Sequence, residues 1–396
     1  MITFDEAFNK VMQFPMDLGV EAVELSNATG RVLAENIVAD RDFPPFNRAT
    51  KDGIAIHFNS LEKEITHFKI EAVLSAGMAQ QELKDTGNCV EIMTGAVLPK
   101  NADTIIMYED TKIENGVATI FKKPIIGQEI HRKGSDVKKG TTLLSKHMMI
   151  GAAEIGVLAS VGKSIVLVNK LPKICVISTG NELVEVHETP LPHQIRRSNT
   201  LSLFAALKNH GIEAVQVHLL DDKKVIREQL SKLMEAYDVL LVSGGVSKGK
   251  FDFLPEVLEL LGVEKVFHRV AQRPGKPFWF GTQQKTKTLV FSFPGNPVST
   301  YANYHVYFLP WLYLTLQLKK PEKYVLLERP ILIKPSLTRF IQVRITNKMG
   351  SLWAVPVQEN GSGDLTSLAN SDGFICLRPR EKAYEQGEAI PFIPTK

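Results

Sequence analysis

An alternation of strand-like and helix-like segments between residues 173 and 318 constrains the fold of this chain most strongly. Short apolar runs at residues 174–178 and 239–242 predict buried strands. Between them lie amphipathic segments such as residues 225–236, where apolar side chains recur at helical spacing. Strands joined by helices in this way form a doubly wound, mainly parallel sheet with right-handed crossovers. We therefore predict an α/β domain here.

The rest of the chain has a different pattern, and 396 residues are too many for one hydrophobic core. Residues from about 47 to 140 contain short alternating runs separated by glycine and asparagine turns, which predicts an all-β domain. From about residue 321 the pattern again alternates, for example at residues 331–333 and 340–345, and predicts a second, C-terminal β domain.

Composition excludes several classes of protein. The net charge of +4 occurs without a basic block, which is weak support for nucleic-acid binding but suits an anionic small molecule. The cysteines Cys89, Cys175 and Cys376 are far apart, and the histidines show no zinc-binding spacing. No signal peptide and no apolar run of 18 residues is visible, so we expect a cytoplasmic protein that does not enter a membrane.

The segments that follow the predicted strands carry glycines, carboxylates and cations. In an open parallel sheet, ligands bind beyond the carboxyl ends of the strands, so these segments should meet at one rim. They are TGNE at residues 179–182, DD at 221–222, SGGVSKGKFD at 243–252, RPGKP at 273–277 and PGNP at 294–297.

This combination suits Mg²⁺-assisted chemistry on a phosphoester. The glycines of the SGG turn allow close approach of the backbone to a phosphate, and an acidic residue such as Asp252 then calls for a divalent cation between them. Arg273 and Lys276 can neutralise charge that develops on phosphate oxygens. Plainer interpretations stay open: SGG as an ordinary turn, Asp221 and Asp222 as helix caps, and the two cations as solvated surface charges.

Seven motifs, in order along almost the whole chain, resemble the MoeA-type molybdopterin molybdenumtransferases, a family that includes the E domain of gephyrin. The motifs are PPFNRATKDGIAI at residues 44–56, EIMTGAVLP at 91–99, RKGSDVKKG at 132–140, STGNEL at 178–183, SGGVSKGKFDF at 243–253, RPGKPFWFG at 273–281 and PGNPVS at 294–299.

The resemblance implies a four-domain subunit in an elongated homodimer. The implied domains are a linking and dimerisation domain (residues 20–45 and 141–170), a β domain (46–140), a molybdopterin-binding α/β domain (1–19 and 171–320) and a β-barrel-like C-terminal domain (321–396). The implied reaction places molybdate on adenylylated molybdopterin, releases AMP and uses Mg²⁺. Transient contact with the molybdopterin adenylyltransferase is also implied.

The resemblance also assigns roles to individual residues. The catalytic candidates are Asp52, Thr94, Asp136, Glu182, Asp222 (or Asp221) and Asp252, of which Glu182, Asp222 and Asp252 are the expected Mg²⁺ ligands. The expected substrate and phosphate contacts are Ser243, Gly244, Gly245, Ser247, Arg273, Lys276, Pro294, Gly295, Asn296, Pro297 and Ser367. Asp52 and Thr94 are expected to face the α/β domain of the other subunit, so that the site is shared across the dimer.

The chain departs from the family pattern at Lys51, Asn181 and His131, which stand where methionine, aspartate and arginine are usual. Two other functions remain as alternatives. The chain could adenylylate molybdopterin with ATP, although the related adenylyltransferases are far shorter. It could also be a non-catalytic scaffold that grips a peptide, as the gephyrin E domain does.

Overall fold

The structure is a computed structural model that describes residues 1–63, 65–246, 252–333 and 336–396. The chain divides into two compact units. The first contains residues 1–34, 147–151 and 165–396, and the second contains residues 35–146 and 152–164. The finer division into four domains stays a prediction.

Among the described residues, the first unit is built around a six-stranded sheet. Its spatial order is Val215–Leu219, Ile174–Thr179, Val239–Ser243, Thr288–Phe293, Trp279–Gln283 and Val263–His268. The first four strands are parallel to their neighbours, and the last two pair antiparallel. The prediction of a mainly parallel sheet is confirmed.

Helices cover both faces of this sheet. Successive residues of a strand point to opposite faces, so the side chains of one strand divide between two cores. Ile174 and Val176 pack in one core with Leu203, whereas Cys175 and Ile177 pack in a second core with the helix on the other face. This is the doubly wound arrangement that the alternation predicts. The α-helices in the described residues of the first unit are Phe4–Val11, Asn199–Lys208, Lys223–Ala236, Leu254–Leu260, Pro297–Asn303, Leu309–Thr315 and Leu365–Ala369, with a 3₁₀ turn at Leu25–Asn27.

The parallel strands end at a common edge. Ser243 lies in register with Ser178 on one side and with Phe293 on the other, and Thr179 lies in register with Leu219. The segments that follow these strands therefore emerge together, as a functional rim requires.

The aromatic segment after Pro297–Asn303 is not one continuous α-helix. Tyr304–Phe308 is a π-helical turn between Pro297–Asn303 and Leu309–Thr315. Tyr304, Tyr307 and Phe308 are fully buried and pack in the core on one face of the sheet.

The C-terminal part of the first unit closes into a barrel. Around the ring of described strands, the order is Thr338–Lys348, Ser351–Pro356, Lys323–Leu327, Ala389–Pro394, Gly373–Leu377 and back to Thr338–Lys348. The predicted β character of this part is confirmed; the alternating run at residues 340–345 lies in a strand, whereas that at 331–333 contributes an isolated bridge from Ile331 to Tyr384. The described residues of the unit also contain the pairings Val20–Glu24 with Ile165–Asn169, Leu183–Val184 with Ile195–Arg196, and Gln272–Arg273 with Thr338–Arg339.

The described residues of the second unit form a separate six-stranded sheet, which confirms the predicted β character. Its order is Thr104–Met107, Gly53–Ile56, Cys89–Ile92, His67–Leu74, Val117–Ile120 and Thr111–Glu114. The unit also contains the pairs Ile37–Val38 with Thr142–Leu144 and Arg48–Ala49 with Ile130–His131, the helix Ala152–Ser160, and 3₁₀ turns at Phe58–Lys63 and Tyr108–Asp110. None of the helices in the described residues has the length and apolarity needed to cross a membrane.

Candidate functional site

A cavity of about 610 Å³ opens at the carboxyl edge of the parallel strands. All five segments that we predict to form the rim contribute to its wall. The predicted site residues that line it are Glu182, Ser243, Gly244, Gly245, Asp252, Arg273, Lys276, Pro294, Gly295, Asn296 and Pro297. Ser247 lies outside the described residues.

The SGG turn lies directly against the end of the first strand. Gly244 and Gly245 have φ values of +105° and +71°, a region that favours glycine. A Cβ atom on Gly244 would lie 2.8 Å from the hydroxyl of Thr179, so the turn also needs glycine for space. The Thr179 hydroxyl is buried and has no hydrogen-bond partner within the described part of the chain. Both glycines line the cavity, so its wall here is backbone without side chains.

The aspartates after the second strand have different environments. Asp222 caps the helix Lys223–Ala236, since its Oδ1 accepts hydrogen bonds from the backbone N–H groups of Lys224 and Val225, each 2.9 Å long. Asp221 lines the cavity instead. The sequence left open which of the two aspartates belongs to the site. In the structure Asp221 lines the cavity, whereas the carboxylate of Asp222 is occupied by the helix cap.

Asp221 is tied to the loop that carries Glu182. Its Oδ2 accepts from the backbone N–H of Asn181 at 3.2 Å, and its own N–H donates to Oδ1 of Asn181 at 3.0 Å. The Glu182 carboxylate lies over Gly180, where a Cβ atom would come within 2.4 Å of it. Asn181, one of the departures from the family pattern, thus links the first two rim loops.

Three carboxylates, Glu182, Asp221 and Asp252, face the same cavity. Within the described ranges, no group of three or more acidic, histidine or cysteine side chains is close enough together to form a preformed metal cage. Mg²⁺ usually binds through one or two carboxylates together with substrate phosphates and water. The donor set therefore fits a magnesium ion that binds with its substrate, rather than the three-carboxylate site predicted with Asp222.

The cationic side of the cavity comes from the loop between Gln272–Arg273 and Trp279–Gln283. Arg273 and Lys276 are exposed and line the cavity. Arg273 lies in register with Arg339 on the neighbouring barrel strand. Burial, and then the positive charge of Arg273, lower the pKa of Arg339. A cluster of positive charge of this kind favours an anion.

Asn199 is a site residue that sequence reasoning did not identify. It begins the helix Asn199–Lys208, and its Nδ2 donates to the carbonyl of Gly295 at 2.6 Å and to Oγ of Ser243 at 3.0 Å. Ser198, which precedes this helix, makes no side-chain capping bond among the described residues. Asn199 therefore joins the SGG and PGNP turns. The polar RRSN segment at residues 196–199, which leads into the helix, is the sequence feature from which its role could have been predicted.

In the C-terminal domain, Ser362 rather than Ser367 reaches the cavity. Ser367 is 3% exposed, and its hydroxyl exchanges hydrogen bonds with Gln342. Ser362 lines the cavity and accepts a hydrogen bond from Nδ2 of Asn296 at 2.9 Å. The role predicted for Ser367 as a substrate contact is not supported by its position, because its side chain is used within the barrel.

The remaining predicted residues lie in the second unit, where Asp52 and Thr94 form a pair. Asp52 precedes the strand Gly53–Ile56 and Thr94 follows the adjacent strand Cys89–Ile92, so both lie at the same sheet edge. The hydroxyl and the backbone N–H of Thr94 both donate to Asp52. Both hydrogen bonds lower the pKa of Asp52, and the bond from the hydroxyl has the larger effect.

Asp136 in the same unit is bound to His131, another departure from the family pattern. The distance between His131 Nε2 and Asp136 Oδ1 is 2.7 Å, and Arg48 donates to His131 Nδ1 at 3.3 Å. Because arginine can only donate, Nδ1 accepts, and Nε2–H donates the hydrogen bond to the Asp136 carboxylate. The bond from His131 lowers the pKa of Asp136 and keeps it ionised.

Comparison with known proteins gives a consistent result along the whole chain. Residues 2–162 match the MoeA N-terminal region (domain I and II), residues 175–313 match a probable molybdopterin binding domain, and residues 324–395 match the MoeA C-terminal region (domain IV). A molybdopterin molybdenumtransferase from Synechocystis sp. is 37% identical over 398 residues, which cover 99% of both chains.

Two further relatives agree. The molybdopterin molybdenumtransferase of Bacillus subtilis is 30% identical over 99% of this chain and 94% of its own. The crystal structure of a molybdopterin biosynthesis MoeA protein from Pyrococcus horikosii superposes with a TM-score of 0.84 at 30% identity, covering 100% of this chain and 99% of that one. The chain therefore belongs to the MoeA family of molybdopterin molybdenumtransferases.

Proposed function

We propose that the protein acts in molybdenum cofactor biosynthesis by transferring molybdate to adenylylated molybdopterin, with release of AMP. The relatives named molybdopterin molybdenumtransferase support this reaction, since they match the chain over almost its full length. The observation that carries the proposal is the composition of one cavity. Its wall combines a glycine turn, the carboxylates Glu182, Asp221 and Asp252, and the cations Arg273 and Lys276.

Each part of the wall has a role in cleavage of a phosphoanhydride. The SGG turn can approach one phosphate closely, because Gly244 and Gly245 present backbone without side chains. Arg273 and Lys276 can stabilise the negative charge that grows on the departing phosphate of AMP, or hold molybdate. Asn199 keeps the SGG and PGNP turns at a fixed spacing, so that these contacts are preorganised.

Magnesium is the metal that suits the acidic part of the wall. Glu182, Asp221 and Asp252 are the candidate ligands, of which one or two would hold the ion together with substrate phosphates. When bound, the ion would neutralise phosphate charge as a Lewis acid. Asp222 is not part of this set, because its carboxylate accepts the two capping hydrogen bonds.

We further propose that Asp52, Thr94 and Asp136 complete the site of the other subunit in a cytoplasmic homodimer. Their arrangement in the second unit supports a functional role, since all three are exposed and their side chains are held by specific hydrogen bonds. Exposed and ordered polar side chains of this kind are typical of binding surfaces rather than of cores.

The test is to mix the full-length protein with adenylylated molybdopterin and Mg²⁺, with or without molybdate, and to follow AMP by chromatography. We expect AMP release that depends on both molybdate and Mg²⁺, and expect Asp252→Asn to lose most of it while circular dichroism stays unchanged. Pyrophosphate formation from ATP would instead indicate adenylyl transfer. A folded dimer that releases no AMP, but binds a peptide stoichiometrically, would indicate a scaffold and contradict the proposal.

A further inference from the structure

A chain of buried polar side chains lies beneath the loop that carries Arg273 and Lys276. Gln272, Asn303 and Tyr307 are each 1% exposed or less. Gln272 begins the loop, Asn303 ends the helix Pro297–Asn303, and Tyr307 belongs to the π-helical turn that follows. Burial of polar groups is costly unless they are hydrogen bonded, so their partners show what these side chains hold in place.

The hydrogen bonds run from the helix to the loop. The hydroxyl of Tyr307 donates to Oε1 of Gln272. Nε2 of Gln272 donates to Oδ1 of Asn303 at 2.8 Å and to the carbonyl of Pro274 at 3.1 Å. Nδ2 of Asn303 then donates to the carbonyl of Gly275 at 3.3 Å. The relay thus ends on the backbone of the two residues that separate Arg273 from Lys276.

Packing at Gly275 shows that the loop rests directly on this relay. The φ angle of Gly275 is +84°, and a Cβ atom there would lie 2.4 Å from Oδ1 of Asn303. The amide of Asn303 and the backbone of Gly275 are therefore in contact with no space between them. The relay and the backbone between Arg273 and Lys276 are thus in direct contact.

The geometry points to Tyr307, Gln272 and Asn303 as positioning residues that hold the backbone of residues 273–276, so that Arg273 and Lys276 converge on one oxyanion in the cavity. The identity of the oxyanion, phosphate or molybdate, rests on the proposed function. The hydrogen bonds that position the loop do not. Preorganisation of cations by buried hydrogen bonds is a general way of strengthening anion binding.

The π-helical turn supplies a matched pair of variants. Tyr304 and Tyr307 are both fully buried in the same turn. The Tyr304 hydroxyl has no hydrogen-bond partner among the residues that the structure describes, whereas the Tyr307 hydroxyl bonds to Gln272. Tyr304→Phe and Tyr307→Phe therefore remove the same atom from similar surroundings, and only the second breaks the relay.

The experiment measures binding of inorganic phosphate and of molybdate to the full-length protein by isothermal titration calorimetry. Tyr307→Phe is expected to weaken binding of both oxyanions about fivefold, the effect of losing one hydrogen bond. Tyr304→Phe is expected to bind like the wild type. A purely structural role for Tyr307 would instead lower the melting temperature and leave the affinity unchanged.

A second variant changes the loop itself, at its contact with Asn303. Gly275→Ala places a methyl group against Asn303 and should weaken oxyanion binding at least as much as Tyr307→Phe, so the test does not depend on that variant folding. Equal affinities for the wild type, Tyr307→Phe and Gly275→Ala would overturn the inference, as would a wild-type protein that binds neither oxyanion. The AMP-release assay on the wild type tests the proposed function separately.

Discussion

Both hydrogen bonds that Thr94 donates to Asp52, from its hydroxyl and from its backbone N–H, end on the same carboxylate oxygen at 2.6 Å. Concentration of both donors on Oδ1 fixes the direction in which Oδ2 points. It also stabilises the ionised form, which is why the pKa of Asp52 is below its ordinary value. An aspartate held in this way stays charged and oriented in the acid range where free aspartates begin to protonate.

We expect Thr94→Val to reduce kcat/KM for AMP release about tenfold, because a hydrogen bond to a charged group is lost. The acid limb of the pH profile should move to higher pH, since the pKa of Asp52 then returns toward its ordinary value. Thr94→Ser keeps the hydroxyl and should stay close to the wild type. Equal activity of the valine and serine variants would show that the hydroxyl has no part in the reaction.

Substitution of Asp221 should affect activity, whereas substitution of Asp222 should affect stability. Asp221→Asn is expected to lower the rate of AMP release, because Asp221 faces the cavity. Asp222→Ala is expected to reduce the free energy of unfolding by about 1 kcal/mol through loss of the helix cap, with little effect on rate. Asp222→Asn, which preserves a capping oxygen, serves as its control. Urea unfolding measures the change in stability and the AMP assay measures the change in rate. A strong loss of activity in Asp222→Asn would show that Asp222, and not Asp221, is the functional residue.

A methyl group on Gly244 should be poorly tolerated. Gly244→Ala would place its Cβ 2.8 Å from the Thr179 hydroxyl and 3.0 Å from the Thr179 carbonyl, at a φ of +105°. We expect a loss of roughly 1–3 kcal/mol in unfolding free energy together with loss of activity. Gly156→Ala is the matched control, since Gly156 lies within Ala152–Ser160 with open space around it, and should stabilise the protein by about 0.5–1 kcal/mol. Similar effects of the two substitutions would contradict this explanation.

The buried histidine of the π-helical turn should make stability depend on pH. Burial lowers the pKa of His305 from 6.5 to about 3. Between these values the unfolded chain binds a proton that the folded protein does not, so unfolding free energy should fall as pH falls, by about 1 kcal/mol per pH unit. His305→Phe should reduce the slope by that amount between pH 4 and 6. His193→Gln, at an exposed position, is the control, and an unchanged slope in His305→Phe would contradict the prediction.

The sequence predicts the rim of the α/β domain well because the governing patterns are local. Apolar runs such as residues 239–242 mark strands, and parallel strands must end at one edge, so Ser243 and Pro294 come together without knowledge of any side-chain contact. The capping box of Thr3 and Glu6 at the first helix is an equally local feature, because both of its bonds lie within one turn.

The features that sequence reasoning missed are of another kind. The bonds from Asn199 reach residues 44 and 96 positions away, so no local pattern contains them. The choice between Asp221 and Asp222 depends on a shift of one residue in the start of a helix, which is the least predictable property of a helix boundary. Ser367 matches a family motif, but its hydroxyl is bound to Gln342, a partner that only the closed barrel brings near.

Gln272–Arg273 pairs with Thr338–Arg339, so the barrel and the loop that carries Arg273 and Lys276 share a ladder of backbone hydrogen bonds. A protein truncated before the barrel would retain Glu182, Asp221 and Asp252, yet the backbone that carries Arg273 would become an open edge. The barrel therefore takes part in holding one wall of the cavity and is not an independent module. An exchange of barrels between relatives would have to preserve this strand pairing, which limits how independently the barrel and the α/β domain can change during evolution.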